Sequence, residues 1–395
     1  MTAADTTTSA PAAAAAALPP LEVKGRLDRL RARLVESDAD VLVVTALANV
    51  RYLTGFTGSA AVLAVAADAA LLTTDGRYRT QSAQQLADAG VGGAVEIVVG
   101  GVDAQRAAVR ELIDGAGAHE VGLEAAHVSW DGARRWGAIL APEAEGGPGI
   151  ELVPLVGMVE ALREVKDAGE IARMARAAEI ADLALSETLP LLSSAARRTV
   201  TELDVALALD TAMRRLGAED RAFDTIVASG PNSAKPHHQP TTRPIVAGDP
   251  VVMDFGAVYD GYRSDTTRTF CIGGEPTGEL ARIFDVVRRS QADGVSAVRA
   301  GVGAQDVDRA CREVIAEAGW AERFEHGTGH GVGLDIHEAP TVGPTGTAIL
   351  AAGTIVTVEP GVYIPGIGGV RIEDTLVVTD GGSRSLTNFS KDIAA

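Results

Sequence analysis

Leu27, Leu30 and Leu34 fall on one face of the charged stretch VKGRLDRLRARLVESD, a spacing that predicts a helix. Short apolar runs follow: VLVVTA from Val41, AAVLAVA from Ala60, ALLTTD from Ala70 and VEIVV from Val95. Helix-like DAQRAAVRELIDGAG comes after the last of them. Short strands alternating with helices predict an α/β layer domain. The loop-like segment APEAEGGPG, Ala141 to Gly149, interrupts the pattern and marks a domain boundary shortly beyond it. We place a tail at 1–19, the α/β domain at 20–158 and a second domain at 159–395.

The second domain opens on a long helical stretch from near Lys166. A further helix, about Thr201 to Leu216, carries a Thr-x-x-Asp start that can cap its first turn. Strand-like DTIVASG and the segments AGDPVVMDFG and GYRSDTTRTF come next. Two more helices, about Leu280–Arg299 and Ala304–Ala318, lead into a strand-rich end. That end repeats what came before. AGTIVTVEPG, Ala352 to Gly361, overlays AGDPVVMDFG, so Glu359 falls on Asp254, and Glu373 matches Asp265 as acid-x-Thr. Two helices precede each copy, which argues for a duplicated half-domain.

The apolar run Val251–Met253 leads straight into Asp254, so the acid sits where the chain has prepared a buried wall. An unpaired buried carboxylate is expensive and normally takes up a proton. Asp260-Gly261 is a strong two-residue hairpin signal. If it makes the turn, Tyr259 faces Tyr262, Gly256 faces Asp265 and Thr267 lies opposite Asp254. Asp254 and Asp265 then share a face as diagonal neighbours. Duplication brings Glu359 and Glu373 against them. Four converging carboxylates repel unless cations sit between them, and two divalent ions balance the charge.

Composition narrows the function classes. The 395-residue chain carries a net charge of −18, which argues against a phosphate-neutralising nucleic-acid binder. Cys271 and Cys311 are the only cysteines, so no disulfide scaffold is expected and a reducing, cytoplasmic setting fits. Both read as small buried apolar residues. The Ala-, Thr- and Pro-rich start lacks the basic and apolar regions of a secretory signal and reads as a disordered tail. No window approaches a membrane span.

A nitrogen donor is also available. HGTGHGVGLDIHE runs from His326 to Glu338, and five of the seven histidines lie between His237 and His337. Gly327, Gly329, Gly331 and Gly333 argue against a helix here and permit close backbone approach. Oxygen-rich ligation with one imidazole suits Mn²⁺, Co²⁺ or Zn²⁺.

These residues resemble the metal-dependent pita-bread peptidases, specifically the proline peptidases: Xaa-Pro dipeptidase (prolidase) and aminopeptidase P. The thirteen-residue signature fits throughout, and the likeness runs from about Leu21 to the C-terminus. NVRYLTGFTGSAAVL and TDGRY resemble the family's first domain, which methionine aminopeptidases lack. The resemblance implies a creatinase-like α/β N-terminal domain and an α+β pita-bread catalytic domain with an internal pseudo-two-fold duplication. It implies a dinuclear centre held by Asp254, Asp265, His330, Glu359 and Glu373, manganese first and cobalt or zinc as alternatives. Asp265 and Glu373 would bridge the metals, and Glu359 would serve as general base. His237, His326 and His337 match active-site histidines, the last two in contact with substrate, and Arg371 matches an arginine near the site. His238 is expected at the rim with no role. The implied substrates are short proline-containing peptides, and the implied assembly is a homodimer. Two readings compete: a pita-bread scaffold that has lost catalysis, which should lack ligands, and a creatinase-like hydrolase, which uses no metal.

Overall fold

The computed structural model describes residues 18–141 and 149–392. Residues 1–17 of the expected tail and 142–148 of the expected loop lie outside the described residues. Pro19, at the end of the expected tail, accepts a hydrogen bond from Arg173 through its carbonyl at 2.9 Å.

The first domain is a six-stranded mixed sheet flanked by helices. In spatial order its strands are Glu96–Val99, Ala70–Thr74, Ala61–Val65, Val41–Val44, Glu120–Glu124 and Glu151–Leu155. Val41–Val44 is buried on both faces, which explains its unbroken apolar run. The helix Arg26–Val35 buries Leu27, Leu30 and Leu34 as their spacing predicts. The strands Glu120–Glu124 and Glu151–Leu155 carry no such run and escape a reading of the pattern. In the first, Gly122 breaks the apolar sequence because a Cβ there would lie 2.5 Å from Leu155 Cδ1. The second is a partly exposed edge strand containing Pro154. Glu151 donates its N–H inward to His119 O at 2.8 Å, so by alternation the Pro154 nitrogen faces outward, where no ladder bond is lost.

The second domain is built twice over one plan. Helix Ala168–Ser194 starts at a capping box of Asp167 and Glu170, and Glu202–Arg215 starts at the expected box of Thr201 and Asp204. Both helices pack on the strands Ile226–Ser229, Pro250–Phe255 and Thr266–Cys271 through a core that includes Ile180, Leu209, Met253 and Phe270. Helices Gly278–Ala297 and Ala304–Glu317 pack likewise on Ile355–Val358 and Asp374–Thr379, with Phe284, Ile315, Val358 and Leu376 buried between them.

Both hairpins have defined registers. Asp260 and Gly261 have φ of +44° and +72°, the left-handed pair of a type I′ turn. Tyr259 pairs with Tyr262 and Thr267 with Asp254, as the turn predicts. In the second copy Val358 pairs with Asp374 and Gly361 with Arg371, one continuous register that sets Glu359 opposite Glu373.

The two domains share an apolar cluster in which Tyr52 and Phe56 join Tyr262, Val332 and Leu334. Ion pairs reinforce it. Arg51 reaches Asp260 at the hairpin turn at 2.6 Å, and buried Arg26 reaches Asp167 at 2.5 Å. Cys271 and Cys311 are both buried and unpaired.

Candidate metal centre

The two hairpins bring their acids together. Carboxylate oxygens of Asp254, Asp265 and Glu373 lie within 4.8 Å of one another. His330 Nε2 adjoins them, 3.6 Å from Asp265 Oδ2 and 3.4 Å from Glu359 Oε1. All five expected ligands therefore face one centre. Two buried oxygens in it, Asp254 Oδ1 and Glu373 Oε1, have no hydrogen-bond partner. Orphaned buried carboxylate oxygens are costly.

The acids strain against one another. Burial, followed by the charges of Glu373, Asp254 and Glu359, raises Asp265 well above the usual carboxylate range. Burial, followed by Glu359 and Asp254, does the same to Glu373. Burial, with Asp254 adding and Arg371 opposing, pushes Glu359 up to about 8. A divalent cation held here would remove this conflict and give the orphaned oxygens a partner.

His330 is prepared as a ligand. Its Nδ1 lies 2.9 Å from Gly331 O, a carbonyl that can only accept, so Nδ1 carries the proton and Nε2 turns a lone pair toward the acids. Burial holds its pKa below the usual histidine value. The strand Gly329–Gly331 places this ring. A Cβ on Gly329 would meet Thr357 O at 2.0 Å and one on Gly331 would meet Ala339 O at 2.1 Å, so the signature glycines let the backbone pass. Thr357 ties His330 to Glu359, accepting the His330 N–H at 3.0 Å and donating to Glu359 Oε1 at 3.1 Å.

Arg371 is buried within the cluster. It donates to Asp254 Oδ2 at 2.5 Å, to Thr267 Oγ1 at 3.1 Å and to Tyr363 Oη at 2.8 Å. Its guanidinium offsets one of the four carboxylates, so the sum to be balanced is three negative charges. Thr267 in turn donates to Glu373 Oε2 at 2.7 Å.

The histidines divide. His237 and His337 are exposed. The His337 ring stands edge-on to His330 with centroids 4.5 Å apart, and burial followed by His330 lowers its pKa. His326 is engaged at both nitrogens, with Nδ1 2.8 Å from Gly327 O and Nε2 2.9 Å from Tyr363 Oη. Burial and then Arg371 bring it down to about 4. His326 thus touches Tyr363, where the resemblance implies substrate. His238 departs from its expected place at the rim: it is buried and bonds Glu202 at 2.9 Å. Glu202 also accepts from Ser229, Asn232 and Thr241. Burial alone would raise Glu202, and these hydrogen bonds outweigh it and hold the group at about 2. The shape of the loop carrying His237 is set by this buried acid, which pulls His238 inward.

Several of these residues differ in how far the sequence signals them. Tyr363 shares the face of Glu359 by a period of two, a signal that was there to find. Its ring folds over Gly361, where a Cβ would meet Tyr363 Oη at 2.4 Å. Asp308 and Arg312, which hold Thr328 and the His326 carbonyl, lie on the helix Ala304–Glu317 and carry no local signal.

Comparison with known proteins gives two family matches. Metallopeptidase family M24 matches residues 172–380, and the creatinase/prolidase N-terminal domain matches 26–165. An uncharacterized peptidase of Bacillus subtilis (strain 168), YqhT, is 38% identical over 93% of this chain and 99% of its own length. Among solved structures, an Xaa-Pro dipeptidase from Bacillus anthracis superposes with a TM-score of 0.87 at 37% identity, covering 94% of this chain and 100% of that one. An X-Pro aminopeptidase from Thermotoga maritima MSB8 gives 0.80 at 33% identity, covering 92% and 99%.

Proposed function

The chain belongs to metallopeptidase family M24, and from that premise we propose that it hydrolyses the bond between an N-terminal residue and a following proline. One observation carries the reading: His330 turns an unprotonated Nε2 into a cluster of acids whose buried oxygens lack partners. A scaffold that had lost catalysis would have no reason to keep this costly arrangement, and a metal-free hydrolase none to assemble it.

Asp254, Asp265, His330, Glu359 and Glu373 would hold two divalent ions, manganese first. Metal held by these residues would supply a lowered water pKa and polarisation of the scissile carbonyl. The chain's own residues supply the rest. The bond before proline is a tertiary amide, so the leaving nitrogen has no hydrogen and must gain one. Glu359 takes the proton from water and delivers it to that nitrogen. His237 and His337, both exposed, the latter edge-on to His330, stabilise the developing oxyanion and position the proline. Arg371 and Tyr363 keep Asp254 and His326 in place. The proposed setting is the cytoplasm and the proposed assembly a homodimer, which sedimentation would test. No helix among the described residues is long and apolar enough to cross a membrane.

Dialysis against chelator, then assay of Xaa-Pro dipeptides and an Xaa-Pro-Xaa tripeptide with and without Mn²⁺, tests the reading. Activity should vanish on chelation and return with metal. Equal activity in both samples would defeat it. Cleavage of the tripeptide would mark an aminopeptidase, and cleavage of the dipeptides alone a dipeptidase.

A further inference from the structure

A chain of buried polar side chains runs from the first domain's sheet to the loop beside the metal centre, and we infer that it positions His337. The inference rests on the proposed action of His337 on substrate.

The chain begins at Glu124, at the end of the strand Glu120–Glu124. Its Oε2 accepts the N–H groups of Thr45 at 2.6 Å and Ala46 at 2.8 Å, just before the helix Leu47–Thr54. Its Oε1 accepts from Asn49 Nδ2 at 2.7 Å. Asn49 is fully buried, and its Oδ1 accepts from Arg163 at 2.7 Å. Arg163 is buried too, and it donates to Asp335 at 2.7 Å and to Glu338. Lys166 donates to the other Glu338 oxygen at 3.0 Å. The series ends one residue from His337.

The loop is shaped around the Glu338 carboxylate. Asp335 N–H donates back to it at 3.0 Å, and a Cβ on Gly333 would meet its oxygens at 2.6 Å. His337 has no such anchor. Among the described residues its ring makes no hydrogen bond and its noted neighbour is the His330 ring, so its place depends on the backbone that Glu338 fixes. Stability alone does not call for this construction. Buried ion pairs are weak stabilisers, and apolar side chains of the same volume often do as well. What such pairs add is a defined geometry, here between the first domain and one loop of the second.

Asn49→Leu removes the amide, keeps the branched shape and the number of side-chain heavy atoms, and lies outside the ligand set. We expect it to lower kcat/KM on an Xaa-Pro substrate about tenfold with metal content unchanged, and less than about twofold when His337 is already alanine. Equal losses in the two backgrounds would show that Asn49 acts independently of His337, and the inference would fail. A second readout does not need activity. In protein labelled with ¹³C at histidine Cε1, the His337 signal, assigned from His337→Ala, should move in Asn49→Leu while that of His119 stays. An unmoved His337 signal overturns the inference even if no peptide is cleaved. Inactivity of the wild type would instead sink the proposed function. Should Asn49→Leu not fold, Asn49→Ser carries the same comparison.

Discussion

The two halves of the catalytic domain present their acids on hairpins of the same kind but space them differently. In the first half a two-residue turn sets Asp254 opposite Thr267 and leaves Asp265 diagonal to it. In the second half the continuous register sets Glu359 opposite Glu373. The threonines that follow the acids differ in the same sense. Thr267 donates across the dyad to the Glu373 carboxylate at 2.7 Å, whereas Thr375 donates to the Asp265 main-chain carbonyl at 2.8 Å. Duplication therefore supplies the frame, while each half does a separate task. The first half is paired with a guanidinium, and the second holds the acid that burial pushes to about 8.

Replacing one acid by its amide should have the largest effect. Asp265→Asn removes a proposed ligand and relieves repulsion at once. We expect activity to fall by about three orders of magnitude or more. Thermal stability of the metal-free protein should rise, and the further gain on adding Mn²⁺ should shrink, as scanning calorimetry would record. A metal-free variant less stable than wild type would show that the acids do not strain the fold.

The pH dependence of the metal-free protein comes next. Glu359 in the folded state binds its proton more tightly than in the unfolded chain, because its pKa is raised to about 8. Its stabilising contribution is complete below the unfolded value and is lost as pH climbs through about 8. Asp265 and Glu373 are raised as well and act in the same direction. Urea midpoints of chelated protein should thus fall between pH 5 and pH 8 (a range set by about 4.3 for a free glutamate and the raised value). With metal bound the slope should flatten, and a slope of equal size in both forms would contradict the assignment.

The threonine pair gives the smallest and sharpest contrast. Thr267→Val deletes a hydrogen bond to a ligand and should weaken metal affinity by about 1 kcal/mol. Thr375→Val deletes one to main chain and should lower stability by a similar amount with metal affinity kept. Calorimetric titration of both variants decides it. Equal affinities would mean that the asymmetry between the halves has no consequence for the metal.

The chain declared much of this beforehand, and for identifiable reasons. Asp260-Gly261 fixed the first hairpin because few residues accept two left-handed positions in a row, and that turn alone placed Thr267 opposite Asp254. The echo of AGDPVVMDFG in AGTIVTVEPG located the second pair of acids. What stayed hidden depends on contacts between distant segments. Nothing near His238 announces Glu202, 36 positions earlier, so its burial could not be read. Arg163 and Glu338 lie 175 positions apart. Strand Glu120–Glu124 was hidden by Gly122, which is chosen for its neighbour Leu155 and dilutes the local pattern.

Pro154 has a consequence beyond its own strand. The outer rim of the first domain's sheet would otherwise present a regular ladder of donors to any extended peptide, including the proline-containing peptides proposed as substrates. With a ring in place of one outward N–H, that rim is a poor template for strand addition, and an extended peptide gains little by zipping onto this flank.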